Sequence, residues 1–354
     1  MDAFIYTALP VRVIFGSGTT SQVSDEITAL GCSCALVLAT PERSADAVRF
    51  AGELGIPASV FSGAAMHTPV EVTNKAMEVV KQSGADCIVA LGGGSTIGLG
   101  KAIALRTDLP QIAVPTTYAG SEATPILGET ENGLKTTQRS MKVLPEVIIY
   151  DVALTLTLPL SISVTSGINA IAHAAEALYA KDKNPIISML AERGIAALAR
   201  SLPRIAEDTR DLEARSDALF GAWACGTCLG AVGMALHHKL CHTLGGSFDL
   251  PHAATHTVIL PHALAYNAAA APDAMARIAD AIGMEDAANG MYLLAQSLGA
   301  PSSLRELGML PDDLPRAIDI ACSAPYWNPR AIEREALSDL LHAAFYGLAP
   351  GSGR

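Results

Sequence analysis

An α/β N-terminal domain built on a doubly wound parallel sheet, followed by an all-helical C-terminal domain, is the fold class this sequence predicts. Three observations carry it. Short β-rich runs alternate with helical patterns in the first half only, and alternation of that kind belongs to parallel sheets. From about Leu158 the β-branched runs stop and Ala/Leu-rich helical segments continue to the end. Half of the 354 residues are apolar but only 5% are aromatic, a composition suited to closely packed helices and parallel strands.

The strands expected in order are residues 34–40 (CALVLAT), 57–63 (PASVFSG), 86–95 (DCIVALGGGS), 111–117 (QIAVPTT) and 146–151 (EVIIYD), with helical patterns between the first four. The helical half is expected to break at Pro203, Pro251, Pro261, Pro301 and Pro315. These patterns divide the chain into an α/β domain, 1–158, and a helical domain, 159–354, with a ligand cleft between them.

Composition excludes several classes. A formal net charge of −11 opposes nucleic acid and anionic membrane surfaces, so neither is expected as a partner. The N-terminus lacks a basic leader with an apolar run, and no stretch of eighteen apolar residues occurs. A cytoplasmic protein is expected. Seven scattered cysteines are no disulfide framework. The one CxxC, Cys225 to Cys228, lies in an apolar helical context and reads as two buried small residues rather than a zinc site.

In the first half, Gly92-Gly93-Gly94-Ser95 leaves a strand and enters a helix near Thr96. Glycines there let the backbone approach a pyrophosphate, and the helix start supplies free N–H groups. Alone this turn is ambiguous, because it is not the G-x-G-x-x-G fingerprint. Thr116, Thr117 and Ser121 follow the next strand and add hydroxyls at the same sheet edge. Thr40 ends the first of the expected strands, where a carboxylate would repel a 2′-phosphate; a threonine does not. NADH and NADPH are both expected as cofactors. Arg43, three residues on, is either an aid to that phosphate or simply solvated.

In the second half, Asn169 and His173 are i, i+4 neighbours, with Glu176 close by. His238 and His242 repeat the spacing, and Pro251-His252 brings a further imidazole from a turn. Any one of these histidines alone is more simply a hydrogen-bonded core residue. Three such elements in succession within small-residue helices point to a shared pocket.

Their order, Asn-x3-His, then His-x3-His, then Pro-His, resembles the iron-containing (group III) alcohol dehydrogenase family over nearly the whole chain, an architecture shared with dehydroquinate synthase. The resemblance places the family's four metal ligands on Asn169, His173, His238 and His252, and a residue used for proton transfer on His242. The family pattern has Asp where Asn169 stands, and Asp again where Gly98 stands. Three imidazoles and a neutral amide hold a dication less well than a set with a carboxylate, so no metal is expected. Within the family, GGGSTIGLGK, PTTYAGSE and GINAIAHA are similar to the local signatures of the maleylacetate reductase branch. That branch implies NAD(P)H-dependent reduction of an unsaturated keto-diacid, and the family implies a homodimer.

Loss of two acidic positions suits a dicarboxylate substrate, which extra carboxylates would repel. Partners for its charges are sought in Lys239, Lys142 and Arg330, with Tyr118 donating from the opposite wall. With no metal, His173, His238, His242 and His252 would stabilise the developing enolate, and His242 would deliver the proton. The rival readings are a metal-dependent dehydrogenase of small alcohols or aldehydes, a dehydroquinate synthase-like lyase, and a non-catalytic binding protein.

Overall fold

The computed structural model describes residues 3–132, 134–323 and 326–351. Two compact units result, one of Ala8–Leu158 and one of Pro159–Arg354 together with the segment ending at Thr7.

In the first unit, the strands among the described residues run in chain order as β1 (Arg12–Gly16), β2 (Ala35–Leu38), β3 (Ala58–Phe61), β4 (Cys87–Gly92), β5 (Gln111–Pro115), β6 (Ile126–Glu131), β7 (Leu134–Arg139) and β8 (Val147–Asp151). Six form one parallel sheet in the order β1-β8-β5-β4-β2-β3. Helices α1 (Val23–Ala29), α2 (Ser44–Glu53), α3 (Val70–Ser83) and α4 (Gly94–Thr107) make the crossovers.

Strands β2, β4, β5 and β8 are buried on both faces, so alternate residues serve alternate cores. Ala35, Val37, Val89, Leu91, Ile112 and Val114 pack with α1 and α2 residues such as Ile27 and Ala47. Leu36, Leu38 and Ile88 face the opposite way onto Ala76 and Val80 of α3 and Leu99 and Ile103 of α4. That division is the doubly wound arrangement the alternation predicts.

Two features were not anticipated. Strand β1 adds a partly exposed edge beside β8, and its short, mixed pattern carries little periodic signal. The antiparallel hairpin β6–β7 is rich in Thr, Glu and Lys, so its apolar alternation is weak. Its readable signal is Asn132-Gly133, the favoured pair for a tight hairpin, and Asn132 has the positive φ of 51° such a turn requires.

The second unit contains α5 (Leu160–Leu178), α6 (Pro185–Glu207), α7 (Leu212–Ala231), α8 (Leu236–Phe248), α9 (His252–Asn267), α10 (Pro272–Ile282), α11 (Ala287–Ser297), α12 (Leu314–Ser323) and α13 (Arg334–Tyr346). Side chains cap several of them: Asn184 Oδ1 accepts from Ile187 N, and Asp211 Oδ1 from Ala214 N. Leu240 and Leu244 of α8 pack with Ile259 and Ala263 of α9, Ala317 of α12 and Leu341 of α13.

Two expected helix breaks are corrected. Pro203 and Pro261 lie inside α6 and α9, where each gives up one backbone bond that surrounding packing outweighs. At Pro315 a boundary does fall: Pro315 is the second residue of α12, where its missing N–H costs nothing. Cys225 and Cys228 are buried on α7, and burial raises both thiols well above the ordinary range. Among the described residues, no single helix is long and apolar enough to cross a membrane.

Burial lowers His262 on α9 to about 4. An unfolded histidine takes a proton below pH 6.5 while the folded neutral ring does not, so this contribution is complete above 6.5 and is lost as pH falls. Stability is expected to drop from pH 7 to pH 5 by about 2 kcal/mol through His262 alone. Urea unfolding at both pH values, compared with His262→Gln, measures it. Equal pH dependence in the two proteins would rule the contribution out.

Candidate active site in two parts

In the α/β unit, the chain leaves β4 at Gly92 and enters α4 at Gly94. A Cβ on Gly93 would stand 2.7 Å from Thr117 Cγ2, and one on Gly92 2.5 Å from Thr96 Oγ1, so neither site takes a side chain as built. Thr116 N donates to Gly92 O at 3.1 Å, tying the turn after β5 to the glycine turn. Beyond Gly94 the space a Cβ would enter is open. Thr96 Oγ1 and Ser121 Oγ are buried without hydrogen-bond partners. A glycine cradle, a helix start with uncommitted N–H groups and two unserved hydroxyls fit a dinucleotide pyrophosphate.

Behind this cradle lies a residue the motif reading passed over. Lys101 of α4 is buried, and its Nζ donates to Ser121 O and Thr124 O at 2.6 Å, Thr124 Oγ1 at 2.9 Å and Ile126 O at 3.0 Å. Burial lowers Lys101 to about 7, with the charge of Glu122 opposing. The four oxygens are acceptors and favour the ammonium. Glu122 in turn accepts from Tyr150 Oη at 2.9 Å, and burial raises its carboxyl.

Thr40 stands at the start of the short turn after β2 without a side-chain cap bond, and the pKa of Glu42, two residues on, is lowered by its own backbone N–H and then by the Thr40 hydroxyl. Glu42 is thus an acid the strand-end reading missed. Arg43 is paired with Asp46 at 3.3 Å. Lys142, sought for the substrate, pairs with Asp108 at 2.6 Å on the exposed surface. Tyr118 is fully buried.

Gly98 is occupied space. A Cβ there would fall 2.3 Å from Thr68 Oγ1, and Thr68 has φ 48° while its carbonyl holds Thr130 N. Gly98→Ala is expected to cost about 1–3 kcal/mol by overpacking, and adding Thr68→Gly should recover most of it because glycine accepts that φ. Thermal denaturation of the single and double variants decides; an unchanged single variant would show that the turn yields freely.

In the helical unit, the sequence-predicted histidines come together on three helices. Asn169 and His173 are buried on α5, at 2% and 3% exposure, and His238 is buried on α8. Asn169 Nδ2 is 3.4 Å from His173 Nε2, and His173 Nδ1 is 2.8 Å from His238 Nε2. His242 follows one turn along α8, its ring 6.2 Å from that of His238, and it is exposed. His252 is the first residue of α9 rather than part of a turn, because Pro251 is the cap that starts the helix.

Three more residues complete this cluster. Glu176, fully buried on α5, accepts from Ala235 N and His237 N at 2.9 Å and from His238 Nδ1 at 2.7 Å. It therefore caps the start of α8, where the helix dipole offsets its charge. His237 Nε2 lies 3.0 Å from His256 Nδ1, and the His252 and His256 rings are 4.4 Å apart. Burial, then neighbouring imidazoles, lower His237 and His256 well below the usual histidine range. The doubled histidine at 237–238 and the i, i+4 spacing of 252 and 256 were legible signals for both.

Arg330 is not open as a carboxylate clamp. Its guanidinium stacks 4.3 Å over the Tyr266 ring, donates to Tyr266 O and pairs with Glu333. The adjacent Asn328 accepts from Leu236 N at the start of α8. Lys239 Nζ sits 5.8 Å over the Tyr326 ring, whose hydroxyl is buried without a partner.

A metal does not fit this donor set as arranged. The facing nitrogens of His173 and His238 are spent on each other, and the remaining oxygen, Asn169 Oδ1, is a neutral amide. Nor do His237, Cys241 and His256, although their ligand atoms lie close together. Their outer nitrogens, His237 Nδ1 and His256 Nε2, are buried without partners, whereas a ligating imidazole normally donates its second N–H.

The model of the iron-containing alcohol dehydrogenases matches residues 10–152, and that of the C-terminal part of the Fe-containing alcohol dehydrogenase family matches residues 163–345. The chain is 58% identical to a maleylacetate reductase of Rhizobium sp. (strain MTP-10005) and 55% identical to one of Burkholderia cepacia, in each case over 99% of this chain and 100% of the relative. The crystal structure of maleylacetate reductase from Agrobacterium tumefaciens superposes with a TM-score of 0.95 at 58% identity, covering 99% of this chain and 100% of that one. With both halves matched in order, the chain belongs to the iron-containing alcohol dehydrogenase family and is an oxidoreductase.

Proposed function

We propose that this protein reduces the carbon–carbon double bond of maleylacetate to give 3-oxoadipate, with NADH or NADPH as reductant and without a metal. The observation that carries the proposal is the character of the helical-unit cluster. Its carboxylate, Glu176, has its charge already met by backbone N–H groups and by the His238 imidazole, so a dianionic substrate meets no unbalanced negative charge from it. The relatives named maleylacetate reductase support the substrate class.

When bound, the nicotinamide supplies a hydride, which adds to the alkene carbon β to the ketone. The alkene electron pair moves onto the ketone oxygen as an enolate, and a proton is then added at the neighbouring carbon. Gly92, Gly93, Gly94 and Ser95 would hold the pyrophosphate, with Thr116, Thr117 and Ser121 supplying hydroxyls and Thr40 standing near the adenosine ribose. His242 is the exposed histidine of the cluster and is assigned delivery of the proton. Lys239 is assigned a substrate carboxylate, with Tyr326 beside it. Tyr118, fully buried, is not assigned to the substrate. Arg330 bears on the site by ordering the loop that carries Asn328.

Glu42 beside Thr40 favours NADH of the two cofactors, since its carboxylate would repel a 2′-phosphate. Glu42→Gln is expected to raise the NADPH rate relative to NADH several-fold; an unchanged ratio would remove Glu42 from the cofactor site. The decisive assay follows nicotinamide absorbance with maleylacetate and, in parallel, short aldehydes, on protein of measured metal content. Turnover of maleylacetate by metal-poor protein supports the proposal. Turnover of aldehydes alone, dependent on iron or zinc, would replace it with a metal-dependent alcohol dehydrogenase.

A further inference from the structure

In the α/β unit, at the end of the sheet opposite the glycine cradle, two thiols and a carboxylate converge. Cys87 opens β4 and is fully buried, whereas the cradle begins at Gly92, at the far end of the same strand and roughly 16 Å away. Cys32 follows the end of α1, where Gly31 has φ 77° and Cys32 N donates to Ile27 O at 3.0 Å. Cys32 Sγ, Cys87 Sγ and a carboxylate oxygen of Asp86 all lie within 4.8 Å of one another. Both backbones are held in place, since Asp86 N donates to Cys34 O at 2.9 Å beside the start of β2. The carboxylate is aimed as well: Ser33 N, Ser33 Oγ and Cys34 N donate to its oxygens at 2.8–3.1 Å. A ligating side chain normally has outer partners of this kind, which His237 Nδ1 and His256 Nε2 lack.

We propose that Cys32, Cys87 and Asp86 form a binding site for a thiophilic divalent cation such as zinc or cadmium, separate from the cofactor and histidine positions. Two sulfurs and one oxygen suit such an ion, with water completing a tetrahedron. On binding, each thiol gives its proton to solvent, two metal–sulfur bonds and one metal–oxygen bond form, and no electron changes hands. The surroundings favour a cation over free thiolates. Burial and then the Asp86 charge raise the Cys32 thiol, and burial, then Cys32 and Asp86, raise that of Cys87. Cys32 and Asp86 are part-exposed, so the ion enters from solvent and a chelator takes it back. Once bound, it clamps the end of α1 to the start of β4. Cys34 is not a ligand, because its Sγ donates to Ser83 O at 3.6 Å.

The test is cadmium titration of chelator-treated, phosphine-reduced protein, followed by thiolate-to-cadmium charge-transfer absorption and by 113Cd NMR. A single thiolate-bound cadmium is expected, with the shift of a site of mixed sulfur and oxygen ligands and with release of both thiol protons. Cys32→Ser and Cys87→Ser should each weaken it by more than the roughly 10- to 100-fold that loss of an outer partner costs. Cys34→Ser and Cys322→Ser should leave it unchanged. Cadmium at the histidine positions gives a nitrogen-ligand shift without the charge-transfer band, so the two sites are told apart and neither result depends on the maleylacetate reading. Absence of a thiolate signal in the unmodified protein would overturn the proposal, as would a signal that survives Cys32→Ser or is lost in Cys322→Ser. Should Cys87→Ser fail to fold, Cys32→Ser, at the part-exposed position, decides.

Discussion

Asn169→Asp is expected to slow reduction of maleylacetate about ten- to a hundredfold, equivalent to ~1–3 kcal/mol of lost transition-state stabilisation. Asn169 is 2% exposed and donates to His173. A carboxylate in its place cannot donate, and it adds a buried negative charge to the cluster proposed to meet the enolate. The same change supplies the anionic ligand missing from the His173, His238 and His252 positions, so the variant should bind zinc or iron more tightly than the unmodified protein. Steady-state kinetics and metal analysis on both proteins, with and without excess chelator, measure the two effects together. The unmodified protein should hold well under one equivalent of metal and keep its activity in chelator. Full occupancy with activity lost on removal would sink the metal-free mechanism, while the fold would stand.

Lys101→Met is expected to destabilise the protein by about 2 kcal/mol or more, since each buried carbonyl left without a donor costs about 1–3 kcal/mol. Thr124 O and Ile126 O would lose the Nζ that joins them, while Ser121 O keeps the Thr124 hydroxyl as a donor at 2.9 Å. Methionine fills most of the volume but offers no donor, so the loss is polar and not a cavity effect. Because Ser121 ends the loop that carries Thr116 and Thr117, the KM for NADH should also rise. Urea unfolding and cofactor saturation curves read the two consequences. A loss below about 1 kcal/mol would mean that water serves the two freed carbonyls.

Sequence by itself determined the architecture wherever burial imposes a period. The buried runs of β2, β4 and β5 have apolar side chains on both faces, and the helical unit follows from an unbroken supply of Ala and Leu with i, i+4 spacing. Asn169, His173, His238, His242 and His252 were readable for the same reason, because a helix places residues four apart on one side. The β6–β7 hairpin was not, since its half-exposed strands need no apolar alternation. Pro203 and Pro261 looked like breaks because local propensity ignores the packing that holds α6 and α9 through them.

Only the tertiary structure decided what each polar group touches. Nothing local marks Glu176 as the cap of α8, since it comes from another helix 59 positions before Ala235. Lys101 reads as an ordinary helix lysine until Ser121, Thr124 and Ile126 are folded around it. Arg330 and Lys142 looked available as cations, and folding gave them Tyr266 with Glu333, and Asp108. Periodicity reports how much of a side chain is buried, because burial recurs with the geometry of the element that carries it. The direction of a hydrogen bond depends on a partner distant in the chain, and that is settled only when the helices meet.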